Sequence, residues 1–235
     1  MNFYNRFQGV FLNPQQTFRA LTEKPVWKDA LIMLLIAMIL MAYFIAPYSL
    51  KDNIEIFEKS IKFKERLGEE RFNQELEKMR SPSRSKLFLR SLLLTPITLL
   101  IGFLISCLII LGLGRLTSTE GKYIQVFSVY LHANFIDKIL GNALRLFLIV
   151  IRKSAMQTTT SLAIFFPKLE VTSPSYLVLS QIDFFQIWLF GVLGLGLAYI
   201  LKIDFKKALI ISYCFWLLKS ILYVAMGYMA AQFMA

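Results

Sequence analysis

Five apolar runs, each long enough to cross a bilayer, constrain this chain more than any other feature. They are Val26 to Ala46, Phe88 to Leu113, Tyr123 to Ile151, Phe184 to Leu201 and Ala208 to Met234. A helix needs about 20 apolar residues to cross the hydrocarbon core. Hydrophobic residues make up 57% of the 235 and charged residues 17%, against about 45–50% and about 25% in ordinary soluble domains. Because the excess is gathered in runs, a soluble globular enzyme, a disordered chain and a disulfide scaffold are excluded. The expectation is an all-α membrane protein, a bundle of five transmembrane helices with amphipathic extramembrane helices between the first and second spans.

The segments between the runs carry the rest of the organisation. Residues 1–25 read as an N-terminal interfacial segment ahead of a membrane domain over 26–235. Asn13-Pro14 has the form of a helix start, with Asn13 as N-cap and Pro14 in the first turn. Phe18 and Leu21 are expected to face the bilayer. No short apolar core with a cleavage site precedes Lys24, so the first span is expected to act as its own insertion signal. Pro47 is expected to end the first span, and Pro96 to kink the second. Residues 48–87 form a charged amphipathic insertion with two apolar stripes, Ile54/Phe57/Ile61 and Phe72/Leu76/Met79, separated by Gly68. Glu55/Lys59 and Glu58/Lys62 are ordered for i,i+4 pairing. Residues 152–182 hold an apolar stretch, Leu162 to Phe166, too short to span.

The net charge is +11. Most of the basic residues flank apolar runs, where they anchor helices and meet anionic lipid head groups. Nucleic acid is therefore not an expected partner. Five spans put the termini on opposite sides. With the N-terminus inside, the inner segments carry nine Lys/Arg and the outer ones fourteen. The positive-inside rule then favours the opposite orientation, but residues 51–90 also carry eight acids, so charge alone leaves the question open.

The third run holds the chemistry. It contains Asn134, Asp137, Lys138, Asn142 and Arg145, which share one arc of about 140° on an unbroken α-helix. Charges at the bilayer centre require partners or water. Asp137 is expected to pair with Lys138 or with Lys219 of the last run, and Asp183, at the start of the fourth, with Arg145, Arg152 or Lys153. Two readings of this face compete: a polar glue patch between helices, and a pathway for an ion, a proton or a lipid head group. The first is preferred because no second span carries a matching row.

Gly102 with Ser106, and Gly191, Gly194 and Gly196, are small residues placed for close helix packing. The glycines sit inside a span, not between a strand and a helix, so a phosphate loop is not the reading. His132 is the sole histidine and lies opposite the polar face, as an ordinary helix-facing or interfacial side chain. Cys107 and Cys214 lie within spans and have no metal-site spacing. No catalytic residue, metal site or cofactor is expected.

The order of several short motifs resembles a known family. Val10-Phe-Leu-Asn-Pro-Gln-Gln-Thr-Phe18 precedes the first span. Gly112-Leu-Gly-Arg115 is followed by Glu120-Gly-Lys-Tyr-Ile-Gln-Val-Phe-Ser-Val-Tyr130. Thr172-Ser-Pro174 and Ile182-Asp-Phe-Phe-Gln-Ile-Trp188 then lead into Gly191, Gly194 and Gly196, and Lys206-Lys-Ala208 and Trp216 close the series. Together they resemble bacterial members of the Yip family, the Ypt-interacting-protein domain. The resemblance implies five membrane helices in a bacterial inner membrane, with a cytoplasmic N-terminus and an extracytoplasmic C-terminus. Some bacterial members appear alongside ABC-type export systems; with no catalytic set in the chain, the expectation is a non-enzymatic accessory or scaffold role beside a membrane partner such as an ABC-type transporter, or in a homo-oligomer. The other expected class is a transporter, channel or lipid-moving protein that uses the third-run polar face.

Overall fold

A computed structural model describes residues 1–81, 93–156 and 160–234. The chain opens with a helical hairpin, α1 (Phe3–Leu12) and α2 (Pro14–Glu23). Asn13 makes both ends of the connection: its N–H donates to Gly9 O, ending α1, and its side chain accepts from Gln16 N, starting α2. The hairpin closes tightly at Gly9, where a Cβ would lie 2.1 Å from Thr17 Oγ1. Phe18 and Leu21 do not face lipid. They are buried in the bundle beside Val10, because the amphipathic face of α2 meets α10 (Phe184–Leu201) and α7 (Tyr123–Phe135). The N-terminal segment is thus part of the core.

Helix α3 runs unbroken from Lys28 to Lys59 with Pro47 inside it. The first apolar run therefore does not end at the proline. Proline removes one ladder hydrogen bond, and the helix beyond it is held by tertiary contacts. Asp52 is buried and accepts from Ser154 Oγ (3.1 Å), Ala155 N (2.6 Å) and Met156 N (3.0 Å). Ile54 and Phe57 consequently belong to α3. The insertion proper is α4 (Ile61–Leu67) and α5 (Glu69–Arg80), separated as expected by Gly68, whose φ of +75° favours glycine. Phe57 stacks on Phe72 at 4.8 Å. Glu55 pairs with Lys59 at 2.6 Å, while Glu58 pairs with Arg80 at 2.7 Å, which draws α5 back to α3.

The second run is α6 (Thr95–Arg115). Pro96 stands in its first turn rather than kinking it, since a missing N–H is harmless there. The onset expected at Phe88 lies outside the described residues. The third run is divided into α7, a π turn over Ile136–Gly141 and α8 (Asn142–Arg152). Between Leu162 and Phe165 the chain makes one 3₁₀ turn, and α9 (Pro174–Gln181) leads to α10 and then α11 (Phe205–Met234). Among the described residues the only β feature is an isolated bridge between Ser161 and Asp183.

Among the described residues, four helices are long and apolar enough to cross a membrane: Lys28–Lys59, Thr95–Arg115, Phe184–Leu201 and Phe205–Gln232. The centre of the bundle is α10, packed between α2, α7 and α11. Gly194 and Gly196 permit this. A Cβ on Gly194 would lie 2.7 Å from Leu209 Cδ2 and 3.2 Å from its Cα; one on Gly196 would lie 2.3 Å from Val129 Cγ1. Gly191 faces the Tyr213 hydroxyl at 3.2 Å. Gly102 departs from the packing expectation: nothing lies within 4 Å of a Cβ built there. It and Ser106 line a cavity instead.

Candidate functional site

The π turn sets the geometry of the polar face. An i→i+5 turn holds one residue more than an α turn, so residues beyond it are rotated by about 100° relative to an unbroken helix. Relative to an unbroken helix, Asn142 and Arg145 are thus rotated toward Asp137, and the angle between Asp137 and Arg145 falls from about 80° to about 20°. Arg145 accordingly meets Asp137.

Asp137 is 1% exposed. Its Oδ2 lies 2.8 Å from Lys138 Nζ, and its Oδ1 2.8 Å from Arg145 Nη2. The same Nη2 is 3.0 Å from Asp183 Oδ1. Arg145 also donates through Nε to Thr160 Oγ1 (3.2 Å) and through Nη1 to Asn142 Oδ1 (2.9 Å). The Thr160 hydroxyl donates to Asp183 Oδ2. Asp183 is at the same time the N-cap of α10, accepting from Phe185 N (2.8 Å) and Gln186 N (3.2 Å), where a carboxylate complements the helix dipole. Finally, the Arg145 guanidinium lies 5.7 Å from the centre of the Phe185 ring. Gly141 leaves room for that ring, since a Cβ there would lie 3.0 Å from it. One cation thus joins the two acids, across the π turn and the start of α10.

Asp137 pairs with Lys138, one of the two partners expected for it, and not with Lys219. Lys219 Nζ donates to Gln186 Oε1 at 2.6 Å and lies 4.9 Å from the Phe190 ring centre. The reason is positional: the carboxylate is engaged along its own helix, while Gln186, one turn into α10, faces α11. Lys138, Arg145 and Lys219 nevertheless share a cavity of about 320 Å³ with Asp137 and Asp183. Asn134 stands apart from the ion pairs, donating to Tyr130 O at 2.8 Å. It lines a second cavity, of about 290 Å³, with Ser106, Lys138 and Lys219. Asn142 divides its amide, with Nδ2 3.2 Å from Met38 Sδ and Oδ1 on Arg145.

A second buried polar cluster was not legible in the sequence. Arg6 is 5% exposed and forms an ion pair with Asp29; it donates to Met1 O at 2.7 Å and to His132 Nε2 at 3.3 Å. His132 Nδ1 is 2.8 Å from Ser128 O. A carbonyl only accepts, so Nδ1 carries the proton and Nε2 receives Arg6. His132 is wholly buried and ties α1 to α7, a helix-facing side chain as expected, with Arg6 as a partner that the sequence did not mark. Asp29, an acid opening an apolar run, was the one visible signal. Thr160, Gln186 and Asp52 were missed as well, since each meets a partner on a different element and a single polar residue has no periodicity to mark that partner.

The Yip1 domain family model matches residues 9–227. The chain belongs to the Yip1 domain family. No curated protein and no solved structure is a match to it. The matched stretch begins inside α1 and ends at Gly227 in α11, so the Yip1 domain includes the whole Asp137–Arg145–Asp183 cluster and the interlocked glycines of α10. Among the described residues this Yip1 domain protein is all-helical in its regular structure, with apolar helices of membrane-spanning length.

Proposed function

We propose that this Yip1 domain protein is a non-enzymatic, five-span protein of the bacterial cytoplasmic membrane. In this reading it acts as an accessory or scaffold subunit of a membrane transport or secretion assembly. The fifth span is the rod Tyr123–Arg152, and the N-terminus is cytoplasmic. One observation carries the scaffold reading. The charged face of the third run closes on itself, each acid paired with a cation and Arg145 bridging both acids. A self-compensated cluster clamps helices together and leaves no continuous row of free charges for an ion to follow. The interlocked α10–α11 and α10–α7 contacts at Gly194 and Gly196 support a rigid body. Basic flanks contacting anionic lipids, and a membrane-protein partner or a second copy, complete the proposal.

The transport reading has one specific observation in its favour, the 320 Å³ cavity beside Lys138, Arg145 and Lys219. The two readings separate by substitution. Purification from the native host in mild detergent, with mass spectrometry, identifies a stoichiometric membrane partner. A scaffold carrying Asn134→Ala or Lys138→Gln still recovers that partner in equal yield. A folded variant that keeps the partner but abolishes transport by the assembly overturns the scaffold reading.

A further inference from the structure

The polar cavity beside Lys219 does not stand alone. It shares Gln181 and Trp216 with a neighbouring groove of about 490 Å³ between α9 and α11, walled by Val178, Ile182, Leu217, Ile221 and Val224. The first space is lined by charge and the second almost wholly by hydrocarbon. Two further observations bear on what fills them. The five charged groups around the polar cavity, Asp137, Asp183, Lys138, Arg145 and Lys219, carry one cation in excess, and Lys219 has only the neutral Gln186 as hydrogen-bond partner among the described residues. Within the groove, Ser220 Oγ is buried without a hydrogen-bond partner among the described residues. A buried hydroxyl left unpaired is unfavourable, and here it lines a site that otherwise has only apolar walls.

Depth along the bundle agrees with this. Lys219 is fourteen residues from the start of α11, and Asp137 fourteen from the start of α7; at 1.5 Å per residue each lies about 21 Å along its helix. In a hydrocarbon core about 30 Å thick, both then stand about 9 Å below the far boundary. Lysine stems cover that depth by extending toward the interface.

We propose that the two spaces together bind one anionic phospholipid. Its phosphate meets Lys138 and Lys219, its ester carbonyl accepts from Ser220, and an acyl chain lies in the α9–α11 groove. An inorganic phosphate would use the cavity but not the groove, so the shared wall at Trp216 and Gln181 selects the lipid. The depth rests on the five-span reading, whereas the site does not depend on the accessory role, and its test reads lipid rather than partner.

Trp216 stands at the junction and reports directly. In a Trp27→Phe/Trp188→Phe background it is the only tryptophan of this chain's three. The protein is reconstituted into vesicles of phosphatidylcholine doped with either chain-brominated phosphatidylglycerol or chain-brominated phosphatidylcholine at equal mole fraction. Trp216 is expected to be quenched preferentially by the brominated phosphatidylglycerol. Lys219→Gln is expected to weaken that preference about fivefold, the usual effect of one lysine on an anionic lipid. Ala225→Phe, which narrows the groove without touching a charge, is expected to reduce it too, while added inorganic phosphate leaves it unchanged. Equal quenching by the two lipids overturns the proposal, as does a preference that persists in folded Lys219→Gln, and competition by inorganic phosphate assigns the cavity to free phosphate instead. If Lys219→Gln does not fold, the wild-type comparison and the Ala225→Phe protein decide it.

Discussion

Asp137 is bound to Arg145 and not to Lys219, and this distinction has a thermodynamic signature. Asp137→Asn, Arg145→Gln and Lys219→Gln are made singly and in the pairs 137/145 and 137/219. Arg145→Gln removes the bond to Asp137 at 2.8 Å and that to Asp183 at 3.0 Å. Removing one partner of a buried ion pair costs about 3–5 kcal/mol. The lower end applies here. Asp137 keeps Lys138, and Asp183 keeps the Thr160 hydroxyl and two backbone N–H groups of α10. A loss of about 3 kcal/mol corresponds to a fall in Tm of roughly 6–12 °C, at the 2–4 °C per kcal/mol of chains this size. The assay is thermal unfolding in mild detergent followed by size-exclusion chromatography with fluorescence detection. The 137/145 pair is expected to be non-additive by about 1–2 kcal/mol, within the range found for contacting charges. The 137/219 pair is expected to be additive within about 0.5 kcal/mol. Strict additivity of 137/145, or coupling of 137/219 larger than that of 137/145, would refute the assignment of partners.

The glycines of α10 and α6 are expected to behave oppositely. Gly196→Ala forces a Cβ against Val129 and lowers stability by about 1–3 kcal/mol, whereas Gly102→Ala faces open space and raises it by up to about 1 kcal/mol through helix propensity; the same thermal assay separates them. Phe18→Ala is expected to destabilise by about 3–5 kcal/mol, because Phe18 is fully buried; a change below about 1 kcal/mol would return the N-terminal hairpin to the lipid surface. Orientation is read from single cysteines at the exposed positions Glu65 and Thr119 in a background lacking Cys107 and Cys214. With a cytoplasmic N-terminus, an impermeant maleimide in cells with a permeabilised outer barrier labels position 65 and not 119, and the reverse pattern overturns that orientation.

What was readable in the sequence divides by physical cause. Apolar length depends on composition alone, so α3, α6, α10 and α11 stand where four of the five runs were read. Caps are local as well: Asn13 and Pro14 opened α2 as expected, and Gly68 parted α4 from α5. Ends set by tertiary contacts were not readable. Nothing near Pro47 signals that α3 will continue to Lys59, because Asp52 is fixed by backbone N–H groups about a hundred residues away. The same holds for the burial of Phe18, which depends on a glycine in α10.

The third run shows why a wrong geometry still named the right residues. Read at α periodicity, its polar groups fall on one face with Asp137 and Arg145 about 80° apart; the π turn rotates Asn142 and Arg145 by about 100° and brings Arg145 to within about 20° of Asp137. The rotation favours the pair, and the buried carboxylate holds the aligned cation through charge-assisted hydrogen bonds. Arg145 therefore meets Asp137 eight residues away, and on the same nitrogen meets Asp183 at the start of α10. Asn142 has a short side chain and follows the rotation, its amide nitrogen going to Met38 on α3. Sequence periodicity thus named Asp137, Lys138, Asn142 and Arg145, which hydrogen bonds and ion pairs join, while Asn134 stands apart on the Tyr130 carbonyl of its own helix. A substitution that restores α pitch tests this directly. Deleting one residue within Ile136–Gly141, such as Ile139, removes the extra residue of the turn. It is expected to rotate α8 by about 100°, part Asn142 from Met38 while Arg145 keeps an acid, and destabilise the fold through α8 packing. Crosslinking between cysteines at 38 and 142 is the readout. A crosslink that persists undiminished in the folded deletion variant would show that the π turn does not set the phase of α8.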